Sequence, residues 1–427
     1  MTKRSHYKPG DVEIEKLNLI RYDENWAIVG KPLNLLPQLA ELNIYEDITK
    51  PTLYAEIILN DSIDIIKHYP IVSEETIEIQ YITPAEGYSE PIRLYLSVIG
   101  VENIIEQPDK SFKVYTIRAI SFQHVKNTQK MVMQSFDDHP HKIVKVILKD
   151  YLDAENKAPE PKKLIAEETK DTINVVIPKM RPFVAIDFIR KRAISKENVK
   201  SPLLFFENCK GFNFCTIDSL LKIGKAFSNR PYYRVPASTN VTEQSKDYSF
   251  DKQEFRTIEV FENVSHQNSY RKLAGGALKN VVKSFDITSK VFTIRENILK
   301  DNVPELSDEK GTVSVSNMFI SKFKDSGKEL VTTTTVDIGS NLIDTLGAKE
   351  IIEAFVGENI LRMLVPGDSD MVVGRVIEVQ LPDGAFGIDA RAESSFTSGN
   401  YLVTRLRHIM AGDEHKMAME CVKVGVK

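Results

Sequence analysis

TLYAEIILNDSIDIIKHYPIVSEETIEIQY, residues 52–81, sets the architecture. Ile57 and Leu59 alternate with Glu56 and Ile58, and Ile77, Ile79 and Tyr81 alternate with Thr76, Glu78 and Gln80. Successive side chains on a strand point to opposite faces, so a period of two reads as half-buried antiparallel strands. The pattern extends outward. Leu94, Leu96 and Val98 alternate with Arg93, Tyr95 and Ser97, and Tyr115, Ile117 and Ala119 with Thr116, Arg118 and Ile120. Pro70, Pro84, Gly87, Gly100 and Pro108 fall between the runs as breakers. Short strands at this spacing predict a small barrel or sandwich over about residues 12–124.

The period then changes. HVKNTQKMVMQSF (124–136) and HKIVKVILKDYL (141–152) have apolar residues three and four apart and read as helices. A polar connection, DAENKAPEPKK (153–163), follows. RPFVAIDFIRKRAIS (181–195) is a helix candidate with Pro182 suited to its first turn. LLFFENCKGFNFCTIDSLLKI (203–223) reads as strand, Gly turn, strand and helix, with Thr216 as the helix cap. FRTIEVFENV (255–264) and SFDITSKVFTIREN (284–297) look extended, SYRKLAGGALKNVV (269–282) is ambiguous, and GAKEIIEAFVGENILRMLV (347–365) opens with a helix signal. Alternation returns at the end. Tyr401, Val403, Arg405 and Arg407 oppose Leu402, Thr404, Leu406 and His408, and Met417, Met419 and Cys421 oppose Ala418, Glu420 and Val422.

The fold class expected is therefore β-rich α+β: two similar small antiparallel β-barrels joined by α+β domains. Residues 1–124 form the first barrel domain and 125–230 an α+β domain. Residues 231–290 and 348–427 form the second barrel domain, with 291–347 inserted on an outer face.

Composition narrows the function. The 427 residues carry 56 Lys and Arg against 60 Asp and Glu, a net charge of −4, which argues against a dedicated nucleic-acid binder. Gly (20) and Pro (19) are too few for collagen-like or low-complexity chain. Cys209, Cys215 and Cys421 are odd in number and imply no disulfide framework. No run of about 18 uncharged apolar residues suits a membrane helix. The opening MTKRSHYKPGDVEIEK lacks the apolar run of a secretory signal.

Motifs for chemistry are absent: no GxSxG elbow, HExxH helix, phosphate-binding loop or GxGxxG. His139-Pro140-His141 lacks a further ligand at closed-site spacing. Cys209 and Cys215 read as small buried hydrophobes on facing strands. Gly275-Gly276 reads as a tight turn. Asp368 and Asp370 read as solvated turn acids, and Asp137 and Asp138 as a helix end. Arg190, Lys191 and Arg192 read as a solvated helix face. Arg405 and Arg407 share one face of a strand and suit an interface or lumen wall with carboxylates opposite, or a plain barrel exterior. No catalytic, cofactor or metal site is expected.

The ordered elements resemble the baseplate hub protein of contractile-tailed bacteriophages, related to the hub portion of type VI secretion spike proteins. The carrying segments are residues 52–81, SFKVYTIRAISFQHVKNTQKMVMQSF (111–136), RPFVAIDFIRKRAIS with SPLLFFENCKGFNFCTIDSLL (181–221), and SGNYLVTRLRHIM with HKMAMECV (398–422). Residues 235–250 and 298–347 depart from the pattern. The resemblance implies a structural, non-enzymatic homotrimer in the virion tail, assembled in the bacterial cytoplasm. Its two barrels per chain make a pseudo-six-fold ring that adapts tail tube to central spike and forms part of the DNA exit channel. Partners implied are itself, the tube or a tube initiator, a spike on a separate polypeptide, and other baseplate proteins. DNA is in transit only, and nothing inserts in a membrane. The rival readings are a cell-wall hydrolase and a peripheral receptor-binding module.

Overall fold

Alternating sequence becomes sheet throughout the first hundred residues. The computed structural model describes residues 8–23, 26–83, 90–106, 112–154, 161–225, 231–233, 256–265, 279–286, 290–298, 328–334, 345–349, 352, 360–381 and 398–423. The N-terminal part holds β1 (Glu13–Ile20), β2 (Leu33–Asn34), β3 (Leu39–Asp47), β4 (Tyr54–Asp61), α1 (Ile65–His68), β5 (Thr76–Ile82), β6 (Ile92–Glu106) and β7 (Lys113–Ser121). The middle holds α2 (Phe122–Gln129), β8 (Val132–Asp138), α3 (Pro140–Asp150), β9 (Leu164–Ala166), β10 (Ile173–Met180), α4 (Pro182–Arg192), β11 (Leu203–Asn208), β12 (Gly211–Thr216) and α5 (Ile217–Lys225). The C-terminal part holds β13 (Tyr232–Tyr233), β14 (Val260–Ser265), β15 (Lys279–Asp286), β16 (Phe292–Ile298), β17 (Lys328–Thr334), β18 (Ile360–Pro366), β19 (Val376–Gln380), β20 (Gly399–Ala411) and β21 (Glu414–Lys423).

The class is β-rich α+β. A thirteen-stranded sheet runs β14-β18-β21-β20-β3-β4-β7-β6-β5-β1-β2, with β19 also on β20 and β13 on β19. Among the described residues no ladder joins its two ends. The expected alternation decides burial: Leu42, Ile44, Ile57, Leu59, Ile77, Ile79, Leu94, Leu96, Ile117 and Ala119 are all buried in one core. A second core gathers the inward side chains of β18 to β21, among them Leu361, Val379, Leu406, Met417 and Met419. The two halves are not separate sheets. β3 and β20 pair antiparallel from Arg405↔Asp47 to Met410↔Leu42. Each strand then runs on into the other half's core, so Met410 packs with Leu42 and Ile57 while Ile48 packs with Met417 and Met419.

The β11–β12 hairpin forms a wall between two cores. Phe206 and Cys215 face the C-terminal core, whereas Leu203, Phe212 and Phe214 face a helical core with Val144, Ile147, Ile186 and Ile189 of α3 and α4. Pro182 opens α4 as expected, and the Thr216 hydroxyl caps α5 by accepting from Ser219 N at 3.2 Å.

Three expectations change. The segment 124–136 is helical only to Gln129; its second half is β8, antiparallel to β10. Residues 360–366, at the end of the stretch with a helix signal, form β18 on β21, and 345–349 is the helical portion described. The alternation of β20 is broken by a bulge between Val403 and Arg405, so Tyr401, Val403 and Leu406 are all buried. Residues 235–250, Gly275-Gly276 and most of 298–347 lie outside the described residues. Among the described residues, no helix is long and apolar enough to cross a membrane.

Candidate functional site

The ladder between the halves carries an unbroken polar face. Strand register puts Glu262 opposite Arg362, Arg362 opposite Glu420, Glu420 opposite Arg405 and Arg405 opposite Asp47. The side chains follow. Arg362 Nε donates to Glu420 at 3.0 Å, Arg405 Nη1 donates to Glu420 at 3.0 Å and Arg405 Nε to Asp47 at 3.0 Å. A second row starts at Arg407, which bonds Glu41 at 3.2 Å and Asn43 at 2.9 Å and lies 5.5 Å from the Tyr45 ring centre. The Tyr45 and Tyr54 hydroxyls donate to Glu56 at 2.9 and 3.0 Å, and Arg118 links Glu56 to Glu102. Arg405 and Arg407 thus meet carboxylates across the strand, as their spacing suggested.

Solvent-exposed pairs of this kind contribute only about 0–1 kcal/mol each, so the rows do little for stability. Their effect is on the field. Glu262, Glu420, Asp47, Glu41, Glu56 and Glu102 outnumber Arg362, Arg405, Arg407 and Arg118, leaving a face crossing both halves that is balanced to slightly acidic.

Beneath this face lies a buried polar junction. Glu46 is buried between the half-buried Tyr45 and Asp47 and so points inward. Its carboxylate accepts Cys209 N at 2.8 Å and Val373 N at 2.7 Å. Burial pushes its pKa up to about 7, against hydrogen bonds that lower it. His408, inward on β20, shares a 3.0 Å bond between its Nδ1 and His415 Nε2, and His415 Nδ1 lies 2.7 Å from Thr83 Oγ1. Burial pushes His408 down to about 4 and His415 well below the ordinary imidazole value, so both rings are neutral. Glu207, on β11, accepts Leu53 N at 3.0 Å and Ser121 Oγ at 2.5 Å and pairs with Lys162.

Gly367 makes room for this junction. A Cβ there would overlap the His415 ring. Gly367→Ala is expected to cost about 1–3 kcal/mol or more, because the fully buried ring has nowhere to move. Urea unfolding measures it, and a loss below 0.5 kcal/mol, roughly the size of a neutral surface change, would place the ring elsewhere.

The remaining sequence candidates fall apart in space or lose their expected role. Cys209 is a correction: β11 ends at Asn208, so Cys209 sits in the two-residue turn, half-buried and beside Glu46, instead of on a facing strand. Cys215 and Cys421 are buried core residues, the Cys215 thiol pushed up to about 12 by burial. His139 and His141 lie side by side, ring centres 5.5 Å apart, and Thr169 N donates to His141 Nδ1 at 3.1 Å. Asp138 accepts His139 N at 2.7 Å at the end of β8. Asp368 is not freely solvated: burial raises its pKa, and its carboxylate accepts Asp370 N at 2.8 Å. Arg190 departs from a solvated helix face, since it donates to Leu203 O at 2.7 Å and to Asp187.

A separate network welds the hairpin wall to the middle part. Glu167 accepts Thr216 N at 2.7 Å, Thr216 Oγ1 at 2.9 Å, Asn198 Nδ2 at 3.1 Å and the Ser195 hydroxyl. Burial alone would raise this carboxyl; its hydrogen bonds outweigh that and hold it below the ordinary value of 4.5. A depressed carboxyl stabilises above the unfolded pKa and loses that contribution as pH falls through the folded one. Glu167→Gln is therefore expected to cost about 1–3 kcal/mol at neutral pH. It should also flatten the stability profile below about pH 5. An unchanged acid profile in denaturant titrations would contradict this.

No family model and no curated protein matches the chain. Solved structures do. The tail protein from Neisseria meningitidis MC58 matches at TM-score 0.54 and 10% identity, covering 97% of each chain. The 43 kDa tail protein of prophage MuSo2 from Shewanella oneidensis follows at 0.49 and 8%, covering 96% and 98%. A Francisella PdpA–VgrG complex gives 0.47 and 10%, covering 98% of this chain and 54% of that one. The chain is similar in fold to tail proteins of this kind, as the resemblance to a baseplate hub implies.

Proposed function

We propose that the chain is a structural hub of a phage tail baseplate. Three copies form a pseudo-six-fold ring that adapts the tail tube to a separate central spike and lines part of the DNA exit channel. Residues 1–124 and the pair 231–290 with 348–427 act as two similar tube-like barrels, 125–230 as the α+β domain on their flank, and 291–347 as an outer insertion. Its work is binding, without catalysis.

The observation that carries the reading is the β3–β20 ladder with its charge-balanced face. Two half-sheets paired through one ladder on one chain would supply two-sixths of a ring, and a rotation that closes after three copies would complete it. A balanced to slightly acidic wall suits DNA in transit, because a basic one would hold phosphates and slow release. Two further features support self-association. The outward face of β8 and β10 exposes Met131, Met133 and Val176, Met133 at 74%. Among the described residues β14 is an edge strand, and it exposes Val260 and Val264.

Light scattering on the purified chain, with and without the co-expressed spike, tests this. The expected mass is three times 48.4 kDa in at least one of the two samples. Electron microscopy should then show a ring with six similar lobes. A dimer, a filament, or clearing of cell walls on a zymogram would overturn the reading.

A further inference from the structure

Three side chains from three parts of the fold converge at the buried junction. Glu46 comes from β3, Cys209 from the β11–β12 turn and His408 from β20. Their carboxylate oxygen, thiol sulfur and ring nitrogen all lie within 4.8 Å of one another. Ligand atoms around a tetrahedral zinc, with bonds of about 2.0–2.3 Å, are roughly 3.3–3.8 Å apart, so small side-chain rotations close the set.

The second observation is an orphan. His408 Nε2 is fully buried and has no hydrogen-bond partner. Its other nitrogen is spoken for. With His415 Nδ1–H donating to Thr83 Oγ1, His415 Nε2 accepts from His408 Nδ1–H, and every ring position is satisfied except one. That tautomer, the one a bound metal would select, leaves a lone pair on His408 Nε2, held by an outer hydrogen bond of the kind that orients metal-binding histidines.

Charge argues the same way. Among the described residues, Glu46 makes no ion pair with a lysine or arginine. Its neighbours include the Cys209 thiol and a second buried carboxylate, Glu207, whose lysine is already used, while the Arg375 charge reaches it without an ion pair and is shared with Asp368 and Asp370. A dication would balance one carboxylate and one thiolate and satisfy the orphan nitrogen at once. Access exists, because Cys209 also lines a partly open cavity of about 210 Å³ between the hairpin turn, Phe122 and Lys162.

We propose that Glu46, Cys209 and His408 bind one zinc ion, with a water in the fourth position. One thiolate, one imidazole and one carboxylate suit zinc, whereas calcium and magnesium take all-oxygen sets. The ion ties the N-terminal sheet, the hairpin wall and the C-terminal sheet at the point where they meet. Binding releases the Cys209 thiol proton, so uptake strengthens as pH rises. This inference does not depend on the hub reading, since it concerns a single chain.

The test uses the full chain, stripped with a chelator and dialysed against zinc or cobalt chloride. Elemental analysis should find about one zinc per chain. The cobalt form should show the intense visible bands of a tetrahedral site and a thiolate charge-transfer band in the near ultraviolet. Cys209→Ser, a near-isosteric change in a partly buried turn, should keep the wild-type circular dichroism and lose that band. His408→Gln should weaken zinc binding by at least the roughly 10–100-fold that follows loss of a supporting partner. Wild-type chain that retains no zinc and no tetrahedral cobalt spectrum would overturn the proposal whatever the variants do. So would a charge-transfer band that survives in Cys209→Ser.

Discussion

Glu207→Ala is expected to lower stability by about 3–5 kcal/mol. The carboxylate is fully buried, and three groups depend on it: Leu53 N, the Ser121 hydroxyl and the Lys162 ammonium. Removing it leaves one cation with 15% side-chain exposure and two buried donors without acceptors. Ser121→Ala removes only one neutral-to-charged bond and should cost about 1.5–3 kcal/mol. Replacing both Lys162 and Glu207 by methionine should recover much of the loss, because no uncompensated charge remains. Urea titrations at fixed chain concentration give all three losses. A loss below about 1 kcal/mol for Glu207→Ala, the size of a surface salt bridge, would mean that the pair is open to water.

The second large effect separates the two faces of the hairpin wall. Phe206 is fully buried in the C-terminal core, its ring edge against Gly374, where a Cβ would come within 3.2 Å. Phe212 is fully buried on the other face, stacked on Phe205 at 5.7 Å. Phe206→Ala and Phe212→Ala should each cost about 3–5 kcal/mol. Hydrogen exchange should tell them apart. The first variant should lose protection in β19, β20 and β21, and the second in α3 and α4. Equal loss everywhere in both variants would show that the two cores open as one unit.

Strands β4 to β7, β20 and β21 were legible because one side of each faces a core and the other water, which writes a period of two into the residues. The segment 124–136 was not, for a geometric reason. Val132 and Phe136 are four apart, and residues four apart share a side on a helix and on a strand alike. The β20 bulge was hidden because Tyr401 and Val403 continue the phase of Arg405, and only pairing with β21 reveals the extra residue. The charged face was half-visible: Arg405 and Arg407 showed in the alternation, but their carboxylates lie on β3 and β21. The buried junction is the least local feature, since Cys209 is 163 residues from Glu46. One signal was available at the turn itself. Asn208 Oδ1 accepts Lys210 N at 3.0 Å, an Asx turn that takes Cys209 off the strand.

The exchange of strand ends between halves has a temporal side. Met410 fills a hole among Leu42, Ile57 and their neighbours, and Asp11 bridges to Glu414. A nascent chain leaving the ribosome therefore cannot finish its first hydrophobic interior until β20 has emerged. Until then the early strands wait with an open seam, the condition in which exposed edges meet the wrong partner. Correct assembly of this protein is thus a race between synthesis of β20 and capture by a neighbour.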